Sequence, residues 1–246
     1  MDKILDGVKH NWTDIEKIRY IHDYIVNNCV YDVSDSSLNS HNMYGALVDG
    51  KAVCEGYANA FLYLCRVAQI ECLSVKGDFN GFNGTQAHMW TMVKLENEWY
   101  HIDVTADDPI VNGGSAQVLE HTYFNLSDAQ IAFDHKINSN PYVIPKANGT
   151  KYNFFKYYGL EFSSLSTENF AKAYAFAAKN SYKYAELKFT KDSLLDASSQ
   201  FIMNNGNTIV KKANDLLSKK VLVNSGYVTF MKNQNHKILS IAVEYK

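Results

Sequence analysis

Apolar residues recur at helical spacing in two stretches near the start of the chain. Thr13, followed three residues later by Glu16, forms a capping box, and isoleucines then return every three or four positions as far as Ile25. A second run, from Glu55, carries an apolar stripe that includes Cys65. The pattern predicts one helix from residue 13 and another from residue 55, with Cys65 in the core.

Beyond the second helix the apolar positions alternate, as they do in strands. A strand is predicted from Glu71 to Phe79, and the glycine-rich segment GDFNGFNGTQ is predicted as a loop. The segments AHMWTMVKL and EWYHIDV then predict a hairpin with Glu96-Asn97 as its two-residue turn. HTYFNL predicts one further short strand, so the first half of the chain combines helices with an antiparallel sheet.

A connector separates the first part of the chain from the last hundred residues, which have a pattern of their own. Before it, Ser127 is expected to cap a helix through Phe133, and prolines and an Asn-Gly pair then mark the connector. We place a boundary there, between a core of residues 1–147 and an accessory α+β region of residues 148–246. Helices are predicted in this region over 167–180, 192–203 and 208–218, with strands YAELKF, GYVTFMK and KILSIAVEY, the last two as a closing antiparallel pair.

The predicted hairpin brings a histidine and an aspartate to one face of the sheet. With a turn at residues 96–97, Trp90 lies opposite Asp103, and His88 becomes a diagonal neighbour of Asp103. Diagonal Cβ atoms lie about 7–8 Å apart, within reach of an imidazole and a carboxylate. A register slip of one residue would place the two side chains on opposite faces.

Cys54 stands directly before the second helix, in GKAVCEGYANAFLYLC. A helix N-terminus favours a thiolate, and a neighbouring imidazolium lowers a cysteine pKa to about 3.5–7.5. We expect Asp103 to accept the Nδ1 proton of His88, which would turn Nε2 toward the sulfur. Unpaired N–H groups of the first helical turn would supply an oxyanion hole. Taken singly, each of these residues fits a packing role equally well, so the residue pattern alone leaves both interpretations open.

The composition limits the classes of protein to which this chain can belong. The 46% hydrophobic and 20% charged residues are typical of a globular protein, and a net charge of -2 gives no reason to expect nucleic acid or an acidic membrane as a partner. Four cysteines without CxxC spacing do not predict a disulfide scaffold, and scattered histidines without HExxH do not predict a metal site. No cofactor and no membrane span are expected. The N-terminus lacks a signal-peptide core, which predicts a cytosolic protein or one whose leader has been removed.

The blocks GKAVCEGYA, AHMW and WYHIDVTADDP together resemble the transglutaminase-like superfamily, over about residues 13–135. The resemblance implies an α+β fold with a papain/transglutaminase-like core, in which a helix carrying the cysteine packs on an antiparallel sheet carrying histidine and aspartate. A small α/β accessory domain would follow this core. By resemblance, Cys54 is the nucleophile, His88 the general base and Asp103 the orienting acid.

Two departures from the family pattern concern the walls of the pocket. Where the family often has Asp-Pro-Thr-Trp-Asp, this chain has Val104 for the proline and Ala106 for the tryptophan. The papain-type oxyanion glutamine is also not evident, since Val48 stands at its usual place. The second oxyanion donor is left unassigned, and three residues are candidates for substrate contact, each of which fits a structural role as well: Tyr44, Gln86 and Trp90.

The resemblance implies cysteine-dependent acyl transfer on protein or peptide amides through a thioester. Water as acceptor would give proteolysis or deamidation, and an amine would give transglutaminase-type crosslinking. The alternative is a catalytically silent module that binds peptides or cell-envelope polymers, and a weaker alternative is arylamine acetyl transfer. Bacterial relatives of this kind are often secreted or held at the cell envelope. The resemblance therefore implies an extracellular or cell-envelope location and protein or peptide substrates that can be associated with the cell wall. The oligomeric state is left open.

Overall fold

The computed structural model describes residues 2–9, 11–81, 84–109, 118–138, 140–217 and 229–245. The chain forms two compact units, Met1–Asn153 and Phe154–Lys246. The boundary predicted from sequence, between residues 147 and 148, falls shortly before the point where these units divide. Among the described helices, none is both long and apolar enough to cross a membrane.

The first unit begins with the two predicted helices. Its helices are α1 (Asp2–Leu5), α2 (Asp14–Asn28), α3 (Cys54–Val67) and α4 (Asp128–Ile131), with a π-helical turn at Gly45–Asp49. The predicted capping box of Thr13 and Glu16 is present at the start of α2. The helix capped by Ser127 ends at Ile131, earlier than predicted. The predicted helical elements of this unit therefore exist, with small differences at their ends.

The sheet of the first unit is antiparallel throughout. Its strands are β3 (Cys72–Gly81), β4 (Gly84–Leu95), β5 (Glu98–Ile102), β6 (Phe124–Leu126) and β7 (His135–Ile137), in the order β6-β5-β4-β3-β7, and a separate parallel pair joins β1 (Val30–Tyr31) to β2 (Lys51–Ala52). The predicted hairpin register is confirmed: Leu95 pairs with Glu98, and the ladder continues to Thr91 and Ile102. The predicted α+β class is also confirmed.

The helix that begins at Cys54 packs on the strand that carries His88. Ala58 and Leu62 of α3 form a buried cluster with Met89 of β4. Met89 directly follows His88, so burial of the α3 stripe holds the N-terminal part of this helix over the histidine. Apolar burial of this kind contributes roughly 25 cal/mol per Å² removed from water.

One predicted loop is wrong, because the glycine-rich segment is part of two long strands. β3 and β4 extend into this segment and pair as far as Gly81 and Gly84. The glycines that suggested a loop instead allow two strands to lie close together. A Cβ on Gly77 would lie 2.2 Å from the backbone oxygen of Lys136 and 2.6 Å from the ring of Trp90. Only glycine therefore lets β7 pair with this part of β3.

The second unit contains a four-stranded sheet and two long helices. Its elements are α5 (Phe154–Tyr157), β8 (Glu161–Phe162), α6 (Thr167–Lys179), β9 (Tyr184–Phe189), α7 (Asp192–Asp215), β10 (Phe230–Asn233) and β11 (Ile238–Ala242), with strand order β10-β11-β9-β8. The closing pair is antiparallel as predicted, although the first residues of GYVTFMK lie outside the described residues.

The two predicted helices over 192–203 and 208–218 are wrong as separate elements. Residues Asp192–Asp215 form one continuous helix, and Ser218 lies outside the described residues. Ile202 and Ile209, seven residues apart, are both fully buried, so the apolar face continues across Gly206. A single glycine costs about 1 kcal/mol in a helix interior, less than this burial contributes.

We predict that Gly77→Ala lowers the free energy of unfolding of the first unit by about 1–3 kcal/mol, because the added methyl group overpacks the contact with the β7 backbone. Urea unfolding followed by tryptophan fluorescence measures this, since all three tryptophans lie in the first unit. Lys76→Ala, at an exposed neighbouring position of β3, is the matched control and should change the value by no more than about 0.5 kcal/mol. Equal stability of Gly77→Ala and wild type would contradict the close approach of the two strands.

Candidate active site

Cys54 is the first residue of α3, as the sequence pattern indicated. Val53 before it is extended, with φ -92° and ψ 178°, and its N–H donates to the Ser40 carbonyl at 3.0 Å. A Cβ on Gly56 would lie 2.3 Å from the same Ser40 oxygen. The glycine of the Cys-Glu-Gly sequence is therefore required for the first turn of α3 to pack on the preceding loop.

The structure brings the three predicted residues together. His88 Nε2 lies 2.6 Å from Asp103 Oδ2, in a hydrogen bond between a nearly buried imidazole and a fully buried carboxylate. The side chain and charge of His88 act on the thiol of Cys54 and lower its pKa, so the thiol lies beside the imidazole. Cys54 itself is half-buried.

The orientation of the imidazole is the reverse of the one expected. We predicted that Nδ1 would face Asp103, whereas Nε2 makes that contact. Nδ1 is therefore the nitrogen left for the thiol of Cys54. The prediction was wrong because it copied the orientation of a serine triad, whereas the position of the ring on β4 decides which nitrogen reaches each neighbour.

The carboxylate of Asp103 is held on both oxygens. Oδ1 accepts the backbone N–H groups of Thr105 at 3.0 Å and Ala106 at 3.1 Å, while Oδ2 faces imidazole rings. Burial alone would raise the pKa of Asp103, but the charge of His88 and the hydrogen bonds from His135 and His88 hold it well below its usual range. Asp103 is therefore a fixed negative charge at neutral pH.

The pKa values of the thiol and the imidazole move toward an ion pair. Burial alone would lower the pKa of His88, but the charge and hydrogen bond of Asp103, together with Cys54, raise it to about 10. Burial would likewise raise the pKa of Cys54, but the hydrogen bond and charge of His88 and the N–H of Met89 outweigh burial and lower it. The arrangement favours a thiolate beside an imidazolium at neutral pH.

Sequence analysis did not identify His135, which also contacts Asp103. Its Nε2 lies 2.9 Å from Asp103 Oδ2, and its Nδ1 lies 2.7 Å from Asp134 Oδ1. The hydroxyl of Tyr123 donates to the other oxygen of Asp134 at 2.7 Å. His135 opens the three-residue strand β7, which pairs with β3 from far along the chain, so no local pattern predicts the contact.

Tyr31 is a second neighbour that sequence analysis missed. β1 runs parallel to β2, so Tyr31 pairs with Ala52, two residues before Cys54. Burial followed by the charge of Cys54 raises the pKa of Tyr31, and the backbone N–H of Cys54 acts in the opposite direction. A phenol group therefore lies directly at the start of α3.

The three candidate substrate contacts lie in different environments. Tyr44 is 49% exposed, and Gln86 is exposed on β4, two residues before His88. Trp90 is 1% exposed, and its Nε1–H donates to Nδ1 of His101 at 3.0 Å. The indole N–H of Trp90 is thus used inside the sheet. Roles for these three residues in substrate contact stay predictions.

A second buried network anchors the loop that follows Asp103. His22 of α2 contacts Asp23 at 3.0 Å and Asp107 at 3.1 Å, and His121 contacts the same oxygen of Asp23 at 3.0 Å. Asp107 also accepts the backbone N–H of Tyr123 at 2.9 Å. Burial raises the pKa of Asp107 to about 6 despite its contact with His22.

The next acid of the loop connects it to the cysteine helix. The hydroxyl of Tyr57, in the first turn of α3, donates to Asp108 Oδ2 at 2.6 Å. Burial raises the pKa of Asp108 to about 7. The two networks therefore attach the segment carrying Asp103 to both α2 and α3.

Among the described residues, four histidines that are distant in sequence lie in two groups whose atoms could in principle bind a metal ion. Within each group these atoms lie within 4.8 Å of one another: His22, Asp23 and His121 in one, and His88, Asp103 and His135 in the other. The nitrogen–oxygen contacts in both groups are 2.6–3.0 Å. Ligands about 2.0–2.1 Å from a tetrahedral metal ion would stand about 3.3 Å apart. The shorter contacts indicate shared protons, so we interpret both groups as hydrogen-bonded networks.

Comparison with known proteins supports the resemblance carried by the sequence blocks. The family model of the transglutaminase-like superfamily matches residues 2–104. Kyphoscoliosis peptidase from Mus musculus is 27% identical to this chain over 146 residues, and the Homo sapiens protein is 28% identical over the same length. Each alignment covers 54% of this chain but 22% of the relative, so the chain spans less than a quarter of the length of these relatives.

Solved structures with partial similarity include a candidate cysteine protease from Cytophaga hutchinsonii, with a TM-score of 0.34 and 22% identity, over 42% of this chain and 36% of that protein. A TGase structure has a TM-score of 0.36 and 16% identity, over 42% of this chain and 30% of that protein.

The family match lies on the part of the chain that holds Cys54 and His88 and ends directly after Asp103. In this part the cysteine opens a helix, the histidine lies on an antiparallel sheet, and the aspartate follows the next strand. The fold and the family match agree with the resemblance identified from sequence: residues 2–104 match the model of the transglutaminase-like superfamily.

Proposed function

We propose that this protein performs cysteine-dependent acyl transfer on protein or peptide amides through a thioester. The observation that carries the proposal is the arrangement in which Cys54 lies beside His88 and His88 is bonded to Asp103, with the thiol at a helix N-terminus and the carboxylate buried. The family match supports a cysteine-dependent acyltransferase or protease in general, and the animal relatives are named peptidases.

The first half-reaction forms the thioester. The Cys54 thiolate attacks the amide carbon, and the carbonyl oxygen takes up the negative charge. His88 then donates its proton to the leaving amine as the carbon–nitrogen bond breaks, which leaves an acyl group on the sulfur and a neutral imidazole. In the second half-reaction His88 takes a proton from water or an amine, the acyl group leaves with that nucleophile, and the thiolate–imidazolium pair is restored.

Two donors at the start of α3 would stabilise the oxyanion. The Cys54 N–H belongs to the first helical turn, whose amides have no partner in the helix itself. Tyr31 pairs with Ala52, two residues before Cys54, and the Cys54 N–H influences the pKa of its phenol, so the two groups are adjacent. We assign Tyr31 as the second oxyanion donor, in place of the glutamine that sequence analysis did not find. A carbonyl oxygen bound there would accept from both groups.

The silent peptide-binding module is the alternative from a different class. The raised pKa of His88 and the lowered pKa of Cys54 favour the enzyme, because a module that only binds has no need of a stabilised thiolate. Hydrolysis and crosslinking share every step as far as the thioester. Protein substrates at the cell envelope or outside the cell are part of this proposal, by analogy with bacterial members of the superfamily.

We predict that iodoacetamide alkylates Cys54 rapidly at pH 6, where an ordinary thiol with a pKa of about 8.5 reacts slowly. His88→Gln should lower the rate at this pH at least about tenfold, because the thiolate loses its imidazolium partner. Mass spectrometry of the digested protein distinguishes Cys54 from the other three cysteines.

His41→Gln is the matched control, because His41 also bonds carboxylates but is exposed and does not contact Cys54 in the described contacts. It should leave the alkylation rate of Cys54 unchanged. A wild-type rate at pH 6 equal to that of an ordinary thiol would refute thiolate activation and favour the binding module.

We predict that a peptide library containing glutamine and lysine residues leaves an acyl adduct on Cys54 after an acid quench. Mass analysis with and without an added primary amine separates cleavage, deamidation and transamidation by their products. Cys54→Ala should abolish adduct and products, whereas Cys72→Ala, which removes another partly buried cysteine, should retain both.

Tyr31→Phe tests the oxyanion assignment in the same assay. The variant should form the adduct about 100-fold more slowly, since one donor to the oxyanion is lost, while iodoacetamide alkylation stays as in wild type. Peptides that bind without adduct or product would contradict the proposed acyl transfer.

A further inference from the structure

Asp103 has two imidazole partners, whereas the acyl-transfer chemistry described above uses one. His88 Nε2 and His135 Nε2 lie 2.6 Å and 2.9 Å from the same oxygen, Oδ2. The two ring centroids are 5.6 Å apart. An ionised carboxylate oxygen only accepts hydrogen bonds, so each of the two nitrogens must carry a proton and donate a hydrogen bond to it.

Both ring nitrogens of His135 face a carboxylate oxygen. Nε2 faces Asp103, and Nδ1 faces Asp134. With a proton on each nitrogen, the ring is an imidazolium cation. Burial would lower the pKa of His135, but the hydrogen bonds to Asp103 and Asp134 outweigh this effect and raise it.

The surroundings fix this ring in place. His135 is 5% exposed, and Phe79 stacks on it at 4.5 Å while Trp90 meets it edge-on at 5.0 Å. The hydroxyl of Tyr123 holds the second oxygen of Asp134 at 2.7 Å. A buried charge is tolerated only when it is paired, and here the ring is bonded to two carboxylates and stacked on Phe79.

We propose that His135 is a positioning residue: a buried cation, clamped by Asp134, that fixes the Asp103 carboxylate and limits how strongly this carboxylate holds the proton on His88. The inference rests on the proposed function, because it concerns the acid strength of His88 as the donor to the leaving amine. It adds two residues, His135 and Asp134, to those that shape the reaction.

The direction of the effect follows from charge. Thiolate, imidazolium, carboxylate, imidazolium and carboxylate alternate from Cys54 to Asp134. The cation at His135 shares the negative charge of Asp103 and repels a second cation at His88. Both effects make the His88 proton easier to release to the leaving amine. Without that cation, His88 would hold its proton to a higher pH.

β3, which pairs with β7, faces His135 with the apolar ring of Phe79. The titratable groups that face His135 in the described part of the chain come from the other elements around it. They are Asp103 after β5, Asp134 beside it in the chain, His88 on β4, Tyr123 before β6, and His101 on β5 at longer range.

The test is His135→Gln, whose side-chain amide can still donate to Asp103 but carries no charge. The alkylation rate of Cys54 by iodoacetamide is measured after brief pH jumps between pH 4 and pH 11.5. The second inflection of this profile marks proton loss from His88. We expect it to move upward by about one pH unit in His135→Gln.

His101→Gln is the matched control, because His101 is also a fully buried imidazole on this sheet and bonds a carboxylate, Asp128, at 3.0 Å. This variant should lose about as much stability as His135→Gln. Both inflections of its alkylation profile should stay within about 0.3 pH units of the wild-type values, well below the shift of about one unit expected when a contacting charge is removed. Asp134→Asn serves if His135→Gln does not fold: it removes one carboxylate partner of His135 and should move the second inflection upward by a smaller amount.

Suppose that the wild-type profile shows an activated thiol, but that the second inflection is unchanged or moves downward in His135→Gln. This result overturns the present inference alone. A wild-type profile with the single inflection of an ordinary thiol overturns the proposed function and this inference with it. A shift of equal size in His101→Gln would show a general effect of destabilising the sheet and would also overturn the inference.

Discussion

The structure of the first unit depends on the buried carboxylate of Asp103. A negative charge removed from water is stable only if charges and hydrogen bonds compensate it, and four donors do so here. Two are backbone N–H groups from the loop that follows, and two are imidazole rings from β4 and β7. A small displacement of either strand would leave this charge poorly paired, so one carboxylate fixes the relative positions of three segments that are distant in sequence.

The three acidic residues of the segment WYHIDVTADDP have different partners in the structure. Asp103 holds the imidazoles, Asp107 is held by His22 of α2, and Asp108 accepts the hydroxyl of Tyr57 on α3. The Asp107 contact ties this loop to α2, and the Asp108 contact ties it to the helix that opens at Cys54. The sulfur, the imidazole and the carboxylate are thus positioned by buried polar networks as well as by apolar packing, which explains how a short core can hold a geometry of this kind.

The parts of the site that follow from local periodicity could be predicted from sequence. Alternation and a two-residue turn give the register that places His88 and Asp103 on one face, and an apolar stripe gives the helix behind Cys54. His135 could not be found in this way, because it lies on a three-residue strand whose pairing with β3 is decided far along the chain. Glycines misled the prediction around Gly77, because the same residue type suits a loop and a close approach of strands.

The orientation of His88 shows the limit of reasoning from residue types. Sequence establishes that an imidazole and a carboxylate can meet, but only the backbone position decides which nitrogen makes the contact. With Nε2 directed at Asp103, and Asp103 shared with His135, both imidazoles should carry two protons at neutral pH. Nitrogen-15 NMR of the histidine rings at pH 7, assigned with single histidine variants, measures this directly. The account predicts imidazolium shifts for both His88 and His135; an unprotonated nitrogen on either ring would contradict it.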